Sequence, residues 1–245
     1  MGYRFFRYAV AALAALAPGA HAADALEPLA RAAPDADRAV LELAVRAHGC
    51  AVRHAGLAPA RRLAVIDYSR PSTEPRLWVF DLREGTLLHR EHVAHGRGTG
   101  ANMATAFSNH EGSHQSSLGL FATAETYTGG NGYSLRMDGL EPGFNDRARE
   151  RLIVMHGADY VDPDQASRQG RLGRSFGCPA VRPEVAQQVI DALKQGQVLF
   201  AYYPDPQWLA RSRLLACEGA PATQVARVDG GAAAAALAAA ATAPR

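Results

Sequence analysis

The chain has 245 residues, of which 48% are hydrophobic, and its 26 Lys and Arg against 24 Asp and Glu give a net charge of +2. This length allows one large or two small domains, and the apolar content is ample for a core. Charge is nearly balanced and no basic run is interleaved with aromatic residues, which argues against a nucleic-acid-binding protein.

The first 22 residues have the pattern of a secretory signal peptide. Arg4 and Arg7 make a positive start, a short apolar stretch follows, and AHA at residues 20–22 has the small-x-small form of a cleavage site. The apolar stretch is short for a membrane span. We therefore expect residues 1–22 to be cleaved on export to the periplasm. The alternative is an uncleaved signal that anchors the protein in the membrane.

Three cysteines in an exported chain leave an odd thiol. Cysteines in oxidising compartments usually pair, and at most one internal pair can form here. We predict a bridge between Cys50 and Cys217, which bracket the β-rich region. Cys178 is then unpaired, and it is either a small packing residue or a reactive thiol.

Helical and β patterns follow one another along the chain. In the segment 23–59, apolar residues recur at helical spacing from Asp35 to about His54, which predicts one amphipathic helix. Short β-rich runs follow Pro59 and predict an antiparallel strand and a hairpin. These runs are residues 63–69, 76–83 and 86–96, with the turn at Glu84-Gly85.

The middle of the chain predicts a loop and further strands. Residues 97–117 are rich in Gly, Ser, Asn and Thr, and a loop of this length is typical of a functional segment. A continuous apolar run then predicts a central strand that ends at His156. Residues 183–193 predict a helix with Pro183 near its first turn. The later predicted strands are residues 118–127, 133–140, 151–157 and 197–204.

These patterns divide the chain into a signal peptide (1–22), a helical segment (23–59), a folded domain (60–217) and an Ala-rich tail (218–245). The tail is of low complexity and can bury little apolar surface. We expect it to be disordered or a frayed helix.

A cysteine nucleophile needs a base, a group that orients the base, and N–H groups directed at the developing oxyanion. His156 stands where an apolar strand ends, a common place for an active-site residue, and Gly157 after it permits close approach. Cys178 lies in SFGCP, where Gly177 permits a tight turn and a helix is expected nearby. N–H groups there would stabilise an oxyanion and lower the pKa of the thiol. A buried packing cysteine is the alternative.

Linked blocks of the sequence resemble the L,D-transpeptidases (YkuD-like), which cross-link peptidoglycan. HGADYV at residues 156–161 and SFGC at residues 175–178 resemble the family's His-Gly and Ser-x-Gly-Cys signature. Upstream, VAHGRGTG, FSNHEGSHQSSLGLFATAETY and GYSLRMDGLE are similar to the hairpin, the loop and the Gly-Phe strand of a divergent proteobacterial branch. The resemblance covers roughly residues 60–205. It implies a mainly β fold, a β-sandwich or barrel-like pair of sheets with peripheral helices.

The resemblance also assigns roles to the residues of the two signature blocks. It implies that Cys178 is the acylated nucleophile, that His156 is its base, and that Gly177 and Cys178 supply N–H groups to the oxyanion. The hydroxyl of Ser175 would position His156 or the substrate, or else satisfy the backbone of its own turn.

Two positions depart from the commonest family motif. Phe176 stands where that motif has His, and Ala180 stands where it has a polar or basic residue. Arg174 or Arg182 would replace these contacts to the donor peptide, because arginine pairs well with carboxylates; a solvated basic surface is the alternative. Further candidates for substrate binding are Gly157, Ser116, Ser117, Phe176, Arg97 and Arg171.

The partners implied by the resemblance are donor and acceptor peptidoglycan stem peptides, and we expect a monomer. Acyl transfer needs no metal or organic cofactor. Water as the acceptor would make the protein an L,D-carboxypeptidase, and a non-catalytic murein-binding envelope protein is a further alternative. A zinc hydrolase would need His95, His110 and His114 to chelate, but the four-residue spacing of the latter two chelates only on a helix. We therefore expect no metal site and no nucleic-acid partner.

Overall fold

The computed structural model describes residues 20–217, with side chains from residue 25 onward. Most of the predicted signal peptide and the whole predicted tail lie outside the described residues. Within the described range the helices are α1 (Ala20–Ala32), α2 (Arg38–His54), α3 (Pro163–Gln169), α4 (Pro183–Leu193) and α5 (Pro206–Arg211). The strands are β1 (Arg62–Asp67), β2 (Leu77–Asp81), β3 (Thr86–Glu91), β4 (Gly119–Gly129), β5 (Gly132–Gly139), β6 (Val154–Gly157), β7 (Ala180–Val181) and β8 (Val198–Tyr202).

All eight strands form one sheet in the order β3-β2-β1-β8-β4-β5-β6-β7. Neighbours pair antiparallel except β1 with β8 and β6 with β7. The segment after β3 then reaches the other end of the sheet, where Ala94 N–H donates to Ala180 O at 2.8 Å and Ser175 N–H donates to His95 O at 3.0 Å. The predicted mainly β class is confirmed. The two ends of one sheet meet, so the barrel-like arrangement describes the fold better than two facing sheets.

One hydrophobic core joins the sheet to the helices. β1, β2 and β8 are almost wholly buried, as their apolar runs predict. Helix α4 packs its stripe of Val185, Val189, Ile190 and Leu193 into this core. Helices α1 and α2 contribute to the same core, so the predicted helical segment 23–59 packs directly against the sheet.

Several elements differ from the sequence-based expectation. β6 is not the central strand that its apolar run predicts, because it lies beside the two-residue strand β7 near the end of the sheet. Its residues are buried because α4 packs against it. Helices α3 and α5 were not predicted, although each begins at the proline of an Asp-Pro pair, and Asp162 or Asp205 caps its first N–H groups. None of the helices in residues 20–217 is long and apolar enough to cross a membrane.

The predicted disulfide is confirmed, since Cys50 of α2 is bonded to Cys217 near the end of the described chain. The remaining cysteine, Cys178, is free and buried. The bridge ties α2 to the segment that follows α5, and it leaves one thiol available for chemistry.

Replacing both bridged residues, as Cys50→Ser with Cys217→Ser, is expected to lower the free energy of unfolding by roughly 4 to 5 kcal/mol, because a bridge across a long loop restricts the unfolded chain. The two cysteines are 167 residues apart. Denaturant unfolding of the oxidised wild type and the double variant measures the difference. In the presence of a strong reductant the two proteins should unfold alike, and equal midpoints without reductant would contradict the prediction.

Candidate active site

Cys178 and His156 line the same cavity of about 660 Å³. The pairing of β6 with β7 brings them together, because His156 lies beside Ala180, two residues after the cysteine. Six of the ten predicted site residues line this cavity: Cys178, His156, Ser175, Arg174, Gly157 and Phe176. The remaining four, Gly177, Ser116, Ser117 and Arg182, are not among its lining residues.

The thiol of Cys178 is held by the backbone at the start of β6. Its Sγ accepts from Val154 N–H at 3.5 Å and donates to Leu152 O at 3.6 Å. Burial raises the pKa of this thiol, and the Val154 N–H and the positive charge of Arg151 oppose the rise only in part. The N–H groups of Val154 and Cys178 lower the pKa of the thiol, as expected, but burial outweighs them. The thiol is neutral at neutral pH.

The ring of His156 is oriented by a main-chain carbonyl. Its Nδ1 lies 2.8 Å from Gly157 O, so Nδ1 carries the proton and Nε2 is the basic nitrogen. Burial lowers the pKa of this imidazole, with the Gly157 carbonyl opposing the shift, so the ring is neutral at neutral pH. The group that orients the predicted base is thus a carbonyl, which residue identities alone could not reveal.

The turn that carries Cys178 is closed by two serine hydroxyls. Ser175 Oγ donates to Cys178 O at 2.6 Å and accepts from Gly177 N–H at 3.1 Å. Ser116 Oγ donates to Gly177 O at 3.0 Å and accepts from Gly96 N–H at 3.1 Å. In this conformation Ser175 satisfies its own turn and does not bond to His156. The Gly177 N–H, expected at the oxyanion, is bound to Ser175.

Gly177→Ala is expected to destabilise the protein by roughly 1 to 3 kcal/mol and to displace the cysteine turn. Gly177 has φ +124°, and an added Cβ would lie 2.8 Å from Gln115 O and 2.9 Å from Ile153 Cδ1. Thermal unfolding measures the loss. Gly143→Ala is the control, since its φ of +83° carries backbone strain but a Cβ there meets nothing within 4 Å. An equal loss of stability in the two variants would mean that the contacts of the added Cβ at position 177 do not contribute to the destabilisation.

Gly157 allows helix α4 to approach β6. A Cβ at this glycine would lie 2.8 Å from Ala186 Cβ. Close packing of the helix therefore accounts for this glycine, in addition to its place in the cavity wall.

The predicted substrate-binding arginines are in different places. Arg174 lines the cavity, and its Nη1 donates to Gly100 O at 3.0 Å. Arg182 makes two hydrogen bonds to the Glu91 carboxylate, at 2.9 and 3.0 Å, outside this cavity. Arg182 is thus neutralised by Glu91, a partner distant in sequence.

The remaining candidates, Arg97, Arg171 and Ser117, are not among the lining residues of the cavity. Arg97 stacks on Phe176, with its guanidinium carbon 4.5 Å from the ring centroid, and Phe176 is 64% exposed. Arg171 donates to the Leu172 carbonyl beside it. Ser117 is buried, and its hydroxyl donates to Ser108 O at 2.8 Å. Arg97 is therefore the one of these three residues that contacts a cavity-lining side chain.

Two of the three histidines considered for zinc, His95 and His114, have other side-chain partners. His95 is buried, and its Nδ1 lies 2.8 Å from Nη2 of Arg76. His114 Nδ1 accepts from Nε of Arg97 at 3.1 Å. In the part of the chain that the structure describes, no three His, Cys, Asp or Glu side chains are grouped to hold a metal ion.

Sequence reasoning missed Arg151, the charged residue that acts on the thiol. It is the first residue of the run 151–157, and an arginine at the start of an apolar run was the available signal. Tyr160 was also missed. It lines the cavity and is half-buried, and burial raises the pKa of its hydroxyl, which is therefore neutral at neutral pH.

Comparison with known proteins gives a family match over most of the chain. A model of the L,D-transpeptidase catalytic domain matches residues 32–202. No curated protein matches the sequence.

Solved structures of three bacterial proteins are similar at low identity. An L,D-transpeptidase from Mycobacterium smegmatis is 15% identical, with 59% of each chain covered and a TM-score of 0.37. One from Mycobacterium tuberculosis H37Rv is 13% identical, with 58% of each chain covered and a TM-score of 0.38. One from Stackebrandtia nassauensis is 11% identical, with 76% of this chain and 79% of that chain covered and a TM-score of 0.36.

The match to this chain spans about three fifths of the first solved structures. The family model, by contrast, covers both blocks of the predicted site, the histidine on β6 and the cysteine before β7. The chain belongs to the family of L,D-transpeptidase catalytic domains.

Proposed function

We propose that the protein is a peptidoglycan L,D-transpeptidase that works through an acyl-enzyme on Cys178. The observation that supports this most directly is a free, buried cysteine and a neutral histidine that line one cavity in a chain of this family. A thiol and an imidazole that are both neutral can exchange one proton without leaving a net charge in the site.

The first half-reaction begins with the proton of the thiol. The Cys178 S–H turns from Leu152 O towards His156, whose Nε2 takes the proton as Sγ attacks the carbonyl carbon of an L-centred residue in the donor stem. The carbonyl oxygen becomes an oxyanion, and the Cys178 N–H is proposed to stabilise it. The C–N bond then breaks, His156 returns the proton to the departing amine, and the terminal D-residue leaves.

The second half-reaction uses the amine of an acceptor stem. The amine attacks the thioester carbonyl, His156 takes its proton, and the C–S bond breaks to release the cross-linked product. The proton then returns to the thiolate. Arg174 is proposed to pair with a carboxylate of the donor; its position in the cavity lining supports this role. Water in place of the amine would give an L,D-carboxypeptidase through the same intermediate.

The proposed setting is the periplasm, where stem peptides occur and the Cys50–Cys217 bridge would persist. Incubation of the purified mature protein with purified muropeptides, followed by mass spectrometry, tests the activity. Cross-linked dimers that have lost one terminal residue support transpeptidation. Shortened monomers alone would assign hydrolysis, and unchanged muropeptides would overturn both.

A further inference from the structure

Arg151 binds the end of the long loop, residues 97–117, through four hydrogen bonds. Its Nη1 donates to Ser108 O and to Ser117 Oγ, both at 2.6 Å. Its Nη2 donates to Gln115 O at 2.7 Å and to Ser113 Oγ at 3.2 Å. All four acceptors belong to residues 108–117, so one guanidinium fixes the end of the long loop.

The loop end held by Arg151 supports the cysteine turn. Gln115 O lies so close to Gly177 that a Cβ there would be 2.8 Å from it. The next residue, Ser116, donates from its hydroxyl to Gly177 O at 3.0 Å. Movement of this loop would therefore move the turn that carries Cys178.

The charge of Arg151 has no carboxylate partner. No salt bridge among the described residues includes it, and its Nε is buried without a hydrogen-bond partner. The following residue, Leu152, accepts the hydrogen bond of the Cys178 thiol. A positive charge beside a buried thiol stabilises the thiolate.

We propose that Arg151 is a positioning residue for Cys178, which holds the end of the long loop against the cysteine turn and favours the thiolate as the proton leaves. This inference rests on the proposed role of Cys178 as the nucleophile. When proton transfer to His156 creates the thiolate, Arg151 would lie next to it as a fixed cation.

Other titratable and charged groups also face the thiol. His156, Asp159, Tyr160 and Arg174 line the same cavity. Burial lowers the pKa of the His156 ring and raises that of the Tyr160 hydroxyl, so both are neutral near pH 7. Asp159 and Arg174 carry opposite charges. On the other side, burial raises the pKa of Tyr68 to about 12, which keeps it neutral.

The test is the pH profile of Cys178 alkylation by iodoacetamide, in which the wild type has one free thiol. Arg151→Gln should raise the thiol pKa by about one unit, since a nearby opposite charge shifts a pKa by that order. Alkylation at neutral pH should then slow by roughly 3-fold to 10-fold, because the smaller thiolate fraction is partly offset by a more nucleophilic thiolate. Arg149→Gln is the matched control, an exposed arginine two residues away that pairs with Asp138 and Glu125.

Arg151→Lys separates the charge from the hydrogen bonds. It should restore most of the alkylation profile, but turnover of muropeptides should stay several-fold low, because an ammonium cannot reach all four acceptors. An unchanged profile in Arg151→Gln, or an equal shift in Arg149→Gln, overturns the proposal. If Arg151→Gln does not fold, Arg151→Lys decides: low turnover supports the positioning role, and wild-type turnover overturns it. Alkylation needs no substrate, so this result stands apart from the proposed transpeptidase activity.

Discussion

Cys178→Ala is expected to abolish cross-linking of muropeptides, because the variant cannot form the thioester. Cys50 and Cys217 are bridged, so no other free thiol can replace it in the described part of the chain. Mass spectrometry of the muropeptide products measures the loss. A carbapenem, which the family resemblance implies as an acylating agent, should add one mass shift to the wild-type peptide SFGCPAV and none to the variant.

The fold should survive this change. Alanine keeps the Cβ of Cys178 and removes only Sγ, whose contacts are weak ones at 3.5 and 3.6 Å. Melting temperatures within a few degrees would show that the loss is chemical. Residual cross-linking by the pure variant would contradict the assignment, as would carbapenem labelling of Cys50 or Cys217.

His156→Ala is expected to reduce cross-linking on the order of 100-fold to 10,000-fold, the usual cost of removing a general base. The pH profile gives a sharper test. In the wild type, activity should fall in acid as the imidazole takes up a proton and can no longer accept one. This acid limb should lie below the ordinary histidine pKa of about 6.5, because burial lowers the pKa of His156.

The variant should lose the acid limb and change its dependence on pH. Its residual activity should rise into the alkaline range as the thiol ionises, since burial raises the pKa of Cys178. His89→Ala on β3 is a control for the loss of a histidine elsewhere and should keep the wild-type profile. An acid limb that persists in His156→Ala would assign the base to another group.

Much of the fold could be predicted because its signals are local. The apolar runs of β1, β2 and β8 mark buried strands, and the stripe on α4 behind Pro183 marks a helix. Strand β7 has only two residues, which is too few for a periodic pattern to indicate a strand. The apolar run of β6 predicts burial correctly but not its place near the end of the sheet, because burial by α4 leaves the same pattern as burial between strands.

The candidate site could likewise be predicted in part. The sequence singles out Cys178 and His156, and the structure places both on one cavity. It does not reveal that Arg182 is engaged by Glu91, because that pair joins residues 91 positions apart. The net rise of the thiol pKa was also not predicted, because it depends on how deeply Cys178 is buried more than on the N–H groups near it.

The closure of the sheet has a consequence for how the protein opens. The contacts that join its two ends, Ala94 with Ala180 and His95 with Ser175, flank the cysteine on both sides. A local opening that parts these segments would therefore displace the cysteine turn in the same event. In partly opened molecules Cys178 would lose the turn that holds it, so the chemistry proposed for this thiol would be confined to molecules whose barrel is closed.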